Sequence, residues 1–301
     1  MTRMKRPLRI QSLLPSVRSV PSVVVLLCGV QWAAADPAPG LRLAIDLADR
    51  GDAGAAAVEF RRLALGAESP ADRGAFEWAA AREHARDGRT AVSERMLDRA
   101  EDSGAPKAPC LLLRAENAES ADDPAAAGFF WSAFRTAADE AGAQAYASRR
   151  LAAAHLRANR PDDALASLRA SPRDESAALA AVDAFRTGPR KRPLVGGLLG
   201  IVPGLGYAYS GEYANSARSL ILNGLFIALM VLSAEDDEWG AFGLAAFAEV
   251  TFYTGSIYGG VDAAHRWNRR RMLDTVHAVE GDATWSVDYR ALPVLKIGYD
   301  F

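Results

Sequence analysis

The sequence predicts an all-α protein: a helical-repeat solenoid, then a helical membrane domain with two or three spans, then a short β-hairpin tail. Three observations support this prediction. Residues 36–186 are rich in Ala, Arg, Glu and Leu, which favour helices, with Gly, Pro and Asp at the breaks. Two apolar segments follow, residues 219–234 and 241–261, close to the length that crosses a bilayer. Apolar and polar residues alternate near the C-terminus, which is typical of strands.

Residues 1–35 predict a secretory signal peptide. A short apolar core, residues 23–30, precedes a small-residue cleavage site at residues 33–35. The core is too short to cross a bilayer, which takes ~20 residues. An uncleaved signal anchor is the alternative, and both interpretations place the next segment outside the cytoplasm. The core follows five basic residues, namely Arg3, Lys5, Arg6, Arg9 and Arg18.

A spacing pattern recurs four times within residues 36–186. Three copies start at a Gly or Asn, which can end a helix, and the copy at Ala121 is a looser version; in all four a bulky residue follows nine positions later. In three copies an alanine stands at the fifth position. The starts are separated by 37, 33 and 38 residues. The copies are Gly51 with Ala56 and Phe60; Gly88 with Leu97 and, at the twelfth position, Ala100; Ala121 with Ala126 and Phe130; and Asn159 with Ala164 and Leu168.

The pattern has a direct physical explanation. A left-handed Gly or Asn ends the first helix of a pair. The alanine lets the second helix approach closely, and the bulky residue fills the groove between the two. This arrangement resembles degenerate tetratricopeptide repeats, whose period is ~34 residues. The resemblance implies stacked helix pairs that bind peptides or partner helices and carry out no chemistry. An unrelated alanine-rich helical array shares the pattern and is the alternative.

A basic linker, residues 187–193, precedes the predicted membrane domain at residues 194–271. Gly and Pro in the linker stop the last helix, and its basic residues suit a layer of lipid headgroups. Two polar residues, Asn223 and Glu249, interrupt the apolar segments. A carboxylate inside a span is costly and marks a candidate functional site. The alternative is a neutral Glu249 that bonds to Asn223 or to Tyr253.

The membrane domain begins with a glycine-rich segment, residues 194–209. Gly196, Gly200 and Gly204 stand four residues apart and share one helix face, on which another helix can pack closely. The segment is long enough to cross the bilayer if its glycines and Pro203 are tolerated. A half-crossing or interfacial helix that breaks at Pro203 is the alternative.

The end of this segment carries a recognisable motif, residues 203–211, with the sequence PGLGYAYSG. It is similar to the Pro-Gly-x-Gly-Gln-x-Tyr-x-Gly element of small bacterial membrane domains of the TM2 type. Tyr207 stands where that element usually has Gln. The resemblance covers residues 193–271 and implies paired membrane helices, in domains mostly of unknown function. The matching residues are Pro203, Gly204, Gly206, Tyr209 and Gly211.

The charges around the apolar segments leave two topologies open. Three spans would place the basic cluster at residues 266–271 in the cytoplasm and the acidic run at residues 235–238 outside, as the positive-inside rule expects. That topology puts the basic residues 190–192 on the opposite side. Two spans, with residues 194–209 at the interface, would keep both ends of the domain outside the cytoplasm.

Residues 272–301 are predicted to form a tail with a β-hairpin, since Pro293 separates two alternating runs. An alternating end of this kind resembles the targeting signal of outer-membrane barrel proteins. One hairpin cannot close a barrel, so a small hairpin on the domain surface is the preferred interpretation. The alternating residues are Trp285, Val287, Tyr289, Leu295, Ile297, Tyr299 and Phe301.

Together these patterns predict a non-enzymatic envelope protein in the bacterial inner membrane, with its repeat domain in the periplasm. Its expected partners are membrane lipid and other envelope proteins, with no nucleic acid, cofactor or metal. Outer-membrane association is the alternative location. The alternative function is a small transporter or lipid-handling protein that uses Glu249 and Asn223. Asp262, His265 and Asn268 share one helix face, but a solvated helix end is preferred to a metal site.

Overall fold

Only helices are present in the computed structural model, which describes residues 39–281. The predicted signal peptide and the alternating part of the tail lie outside these residues. The thirteen described helices are α1 (Pro39–Asp49), α2 (Ala53–Gly66), α3 (Pro70–Arg86), α4 (Thr90–Asp102), α5 (Lys107–Ser120), α6 (Pro124–Ala137), α7 (Ala141–Arg157), α8 (Pro161–Arg169), α9 (Ser176–Thr187), α10 (Pro193–Leu199), α11 (Leu205–Tyr209), α12 (Tyr213–Glu235) and α13 (Trp239–Glu280).

A left-handed residue ends each of α1, α3, α5 and α7. The backbone φ angle is 82° at Gly51, 73° at Gly88, 54° at Asp122 and 56° at Asn159. The next N–H donates to the carbonyl five positions earlier, at 2.8–3.0 Å, and closes the turn. The third turn falls at Asp122, one residue after Ala121, because aspartate adopts this conformation more readily than alanine. These short turns make consecutive helices antiparallel neighbours.

The positions that follow each left-handed residue form the core between paired helices. A small residue at the fifth position lets the two backbones approach, and a bulky residue at the ninth fills the space beside it. The third copy is shifted by one residue, so that Ala126 and Phe130 are only partly buried. The buried small residues are Ala56, Ser93, Ala127 and Ala164, and the buried bulky residues are Phe60, Leu97, Trp131 and Leu168.

The glycine-rich segment at residues 194–209 is not one helix. Helix α10 has 7 residues and α11 has 5, and neither is long enough to cross a bilayer. The chain reverses between them at Gly204, whose φ of 88° suits glycine. Both helices pack against α13, so the segment forms a short helical hairpin on the surface of that helix.

Helices α12 and α13 form a second, longer hairpin, and α13 continues beyond it. Helix α13 has 42 residues and is therefore about 63 Å long at 1.5 Å per residue. It contacts α10, α11 and α12 with its first part and α7 and α9 with its last. Residues 272–280, predicted as part of the tail, are helical because Val276 and Val279 are buried against the alanine-rich helices.

Only one described helix, α12, is long and apolar enough to cross a membrane. Its mean hydropathy is 1.8, and just 6% of its apolar stretch is buried. The sequence predicts two or three spans. Among the described residues, length and composition identify α12 as one of them. Glu249 lies in the apolar part of α13, next in the chain.

Candidate functional site

The short hairpin of α10 and α11 contacts α13 through backbone atoms. Gly196, Gly206 and Gly260 meet here, and a β-carbon on Gly206 would lie 2.5 Å from the Gly196 oxygen and 2.7 Å from the Gly260 α-carbon. A β-carbon on Gly200 would likewise overlap the backbone of Ser256, at 2.6 Å. Gly196 and Gly200 thus permit the backbones to approach without side chains, whereas Gly204, predicted on the same helix face, lies in the left-handed turn before α11.

Four hydrogen bonds fix the two ends of this short hairpin. At its tip, the Gly204 N–H donates to the Ser256 hydroxyl at 3.2 Å. At its base, the Asn268 carboxamide accepts from the Lys191 N–H at 3.0 Å and donates to the Lys191 carbonyl at 2.7 Å. The Arg192 N–H donates to the Tyr209 hydroxyl at 3.1 Å. The hairpin therefore enters and leaves at the same level of α13, beside Asn268.

A basic and aromatic layer surrounds this base. The Lys191 ammonium lies 4.4 Å from the centre of the Tyr209 ring and 5.6 Å from that of Trp267. The Arg271 guanidinium lies 5.3 Å from the Trp267 ring centre and donates to the backbone carbonyls of Pro189 and Ala184. Cations over aromatic rings, as found around the base of the short hairpin, suit the interface between water and lipid headgroups.

Glu212, between α11 and α12, is the centre of an ion-pair network that the sequence patterns did not predict. It accepts from Arg266 at 2.9 and 2.8 Å, from Arg270 at 3.2 Å and from Asn215 at 2.8 Å. The hydrogen bond from Arg266 lowers the pKa of Glu212. The sequence feature that could have indicated this network is Glu212, an acidic residue just before an apolar segment, together with two arginines four residues apart on a later helix.

The motif residues shape the turns of the short hairpin. Gly204 and Gly211 both have positive φ, 88° and 77°, and Gly206 makes the backbone contact with α13. The hydroxyl of Tyr207 lies 3.5 Å from the Gly255 carbonyl. Tyr209 accepts from the backbone at the hairpin base. The motif thus provides the geometry that docks α10 and α11 on α13.

The two polar residues of the apolar segments do not pair with each other in the part of the chain that the structure describes. Asn223 is 1% exposed, and its amide donates to the Ser219 carbonyl at 2.7 Å. The Asn223 Oδ1 and the Glu249 Oε2 are buried and have no hydrogen-bond partner among the described residues. The alternative interpretation of the sequence, a bond from Glu249 to Asn223 or to Tyr253, is not found among the described residues. A cavity of about 230 Å³, lined in part by Arg218 and Thr251, adjoins Asn223.

Two of the three polar residues after the second apolar segment have separate partners. Asp262 pairs with Arg266, and Asn268 holds the Lys191 backbone. His265 is exposed. Within residues 39–281 no group of three or more His, Cys, Asp or Glu side chains could hold a metal ion.

A second charged site joins the end of α13 to the alanine-rich helices. Glu119 of α5 accepts from the Trp131 indole at 2.8 Å and pairs with Arg150 of α7. Glu280 of α13 pairs with Arg157 at 2.9 Å and with Arg150 at 3.2 Å. Of these residues, Glu119, Arg150 and Arg157 line a cavity of about 400 Å³, whose full lining is Glu116, Glu119, Ser120, Asp122, Asp123, Pro124, Ala127, Arg150, Ala154 and Arg157.

Comparison of the chain with protein-family models, with curated proteins and with solved structures finds no match.

Proposed function

We propose that this chain is a non-enzymatic envelope scaffold, in which an array of paired helices is fixed to a membrane hairpin and binds other envelope proteins. The observation that carries the proposal is the continuity of α13. One helix contacts α12 at its start and buries Val276 and Val279 among α7, α8 and α9 at its end. A single helix of 42 residues has no hinge between the two parts, so the hairpin orients the array relative to the membrane.

The exposed apolar surface supports membrane crossing. Helix α12 is almost entirely unburied, and the facing part of α13 exposes Leu244, Phe247 and Val250. Soluble monomeric proteins rarely expose so many neighbouring apolar side chains. Because α12 and α13 are antiparallel neighbours joined by a short turn, a crossing by α12 requires a return crossing by residues 239–261 of α13. We therefore favour two spans over three.

In this two-span arrangement the basic and the acidic residues lie at opposite ends of the α12–α13 hairpin. The basic residues 190–192 and 266–271 lie at one end of the hairpin, on the same side as the paired helices, because Asn268 holds Lys191. The acidic run at residues 235–238 lies in the turn at the other end. The two-span topology removes the conflict that three spans create between the two basic clusters.

Two sequence features bear on which side of the membrane the array occupies. The signal-like residues 1–35 direct the next segment of the chain out of the cytoplasm, whereas the basic residues beside the hairpin favour the cytoplasm. We place the array in the periplasm, at the inner membrane, because the first apolar segment usually sets the orientation and long domains cross largely regardless of charge.

The binding role rests on the resemblance to tetratricopeptide repeats and on the shape of the array. Paired helices with small buried residues give an extended surface, and the cavity beside Glu119 presents both carboxylates and guanidinium groups. A surface of this kind suits a charged peptide or helix from another envelope protein.

Membrane insertion is tested by replacing Leu225 of α12, which is exposed, with lysine. A charge at the centre of a span costs about 2.5–3.5 kcal/mol on insertion scales, so Leu225→Lys should move the protein from the carbonate-resistant membrane fraction to the soluble fraction. Val58→Lys is the matched control, since Val58 is an exposed apolar residue of the helical array. Equal membrane retention of both variants would contradict the two-span proposal.

The side of the membrane is tested by reporter fusions after Asp237, in the acidic turn, and after Gly281. A periplasmic array predicts an active periplasmic reporter after Gly281 and an active cytoplasmic reporter after Asp237. The reversed pattern would place the array in the cytoplasm. The same reporter active at both sites would rule out the hairpin.

A small transporter or lipid-handling protein is the second candidate. It is favoured by the two buried oxygens, on Asn223 and Glu249, that have no partner among the described residues. Glu249→Gln separates the candidates, because a scaffold should keep its location and its partners whereas a transporter should lose activity.

A further inference from the structure

A broad cavity of about 680 Å³ opens between the start of α12 and the part of α13 that carries Arg266 to Leu273. Three arginines of α13, namely Arg266, Arg269 and Arg270, line one side of it, and the first turn of α12 lines the other. Tyr213 and Leu273 provide apolar surface at its edge. The cavity is separate from the glycine contact and from the charged site beside Glu119.

The charge of this cavity is positive. Glu212 is the single acidic residue in the lining, and it is shared by Arg266 and Arg270. Asp262 also pairs with Arg266 from outside the lining. Arg269 is exposed and makes no ion pair among the described residues. The positive end of the α12 dipole adds to the field of the guanidinium groups, so the cavity favours an anion.

The position of the cavity identifies the kind of anion. The cavity adjoins the start of α12, beside Tyr213, which is 73% exposed. Exposed apolar residues of α12 follow about two turns later, at Leu220 and Ile221. A molecule bound here would meet guanidinium groups at the headgroup level and apolar side chains along α12. Arginine recognises phosphate oxygens through paired N–H donors.

We propose that this cavity binds the phosphate of an anionic phospholipid, with the acyl chains lying along α12. The inference rests on the proposed membrane crossing of α12. Arg269 and Arg270 hold the phosphate, while Glu212 keeps Arg266 in place beside the first turn of α12.

The test uses the full chain in a non-ionic detergent and measures lipid binding by native mass spectrometry. The probes are dioctanoyl phosphatidylglycerol, dioctanoyl phosphatidylcholine and inorganic phosphate. Arg269→Gln/Arg270→Gln removes two charges from the cavity. Arg190→Gln/Arg192→Gln removes two charges from the same membrane face outside it and is the matched control. Arg269→Gln alone serves if the double variant does not fold, because Arg269 makes no ion pair among the described residues.

We expect phosphatidylglycerol to bind at least about tenfold more tightly than phosphatidylcholine. Each arginine near a membrane surface contributes roughly fivefold, so the cavity double variant should weaken phosphatidylglycerol binding by about 25-fold. The control double variant should bind phosphatidylglycerol with an affinity within about twofold of that of the unsubstituted chain. Equal binding of the two lipids, or equal losses in the two double variants, would overturn the proposal.

Inorganic phosphate separates a lipid from a soluble ligand. If phosphate displaces phosphatidylglycerol at equal concentration, the cavity is a site for a soluble phosphate compound and the lipid assignment is wrong. The carbonate extraction of Leu225→Lys reports on membrane crossing independently. A chain that inserts but shows no lipid preference therefore refutes the lipid site and leaves the proposed scaffold intact.

Discussion

Gly206→Ala tests the backbone contact that fixes the short hairpin to α13. The new β-carbon would lie 2.5 Å from the Gly196 oxygen and 2.7 Å from the Gly260 α-carbon. Since ordinary contacts of a β-carbon begin at 3.4 Å, α11 must move by about 1 Å. Both neighbours are backbone atoms and cannot rotate away. Overpacking of this kind lowers the free energy of unfolding by about 1–3 kcal/mol.

Thermal unfolding of the purified full chain in one detergent measures the effect. A loss of 1 kcal/mol lowers the melting temperature by about 2–4 °C in a chain of this size class, so Gly206→Ala should lower it by about 2–12 °C. Gly255→Ala is the matched control, because no atom lies within 4 Å of its added β-carbon. Alanine at such a helical site stabilises by about 0.5–1 kcal/mol. Equal melting temperatures for the two variants would refute the backbone contact.

Three further predictions concern the helical array. Phe60→Ala should lower the free energy of unfolding by about 3–5 kcal/mol, because Phe60 is fully buried, whereas Val58→Ala, at a 62% exposed site, should change it by less than about 0.5 kcal/mol in chemical denaturation. Burial raises the pKa of the Cys110 thiol to about 12. In the Cys28→Ser variant, where Cys110 is the one remaining thiol, iodoacetamide at pH 8 should therefore label the chain only after unfolding. Rapid labelling of the folded chain would contradict this burial. Burial lowers the pKa of His84 below 6.5, so the unfolded chain binds more protons below that pH and stability should fall there as the pH decreases; His84→Gln should flatten the dependence of melting temperature on pH.

The helices and turns of the array depend on local features that the sequence displays. Gly51 and Gly88 end helices because glycine adopts positive φ without strain, and Phe60 stands nine positions after the first of them. The sequence spacing predicts the third turn at Ala121, and the structure has it at Asp122, because alanine and aspartate here precede a similar apolar spacing. The apolar run of α12 was equally visible, because hydropathy is additive along the chain.

Most of the candidate site was not predictable in this way. Glu212 and Arg266 are 54 residues apart, and Lys191 and Asn268 are 77 apart, so neither pairing leaves a local pattern. The glycines at 196 and 200 were predicted to pack against a helix, but no spacing rule identifies α13 as that helix. The same limit applies to Asn223 and Glu249, which lie in neighbouring apolar segments and do not bond to each other.

The sequence by itself determined that residues 39–186 are helical, where three of the four marked turns fall, and that residues 219–234 form an apolar helix. These properties follow from backbone preference and the period of apolar residues, which act within a few positions of the chain. Only the tertiary structure decided that the glycine-rich segment folds back as a short hairpin and that one long helix, α13, joins it to the paired helices. Those outcomes depend on contacts between distant segments, whose geometry exists only once the backbones meet.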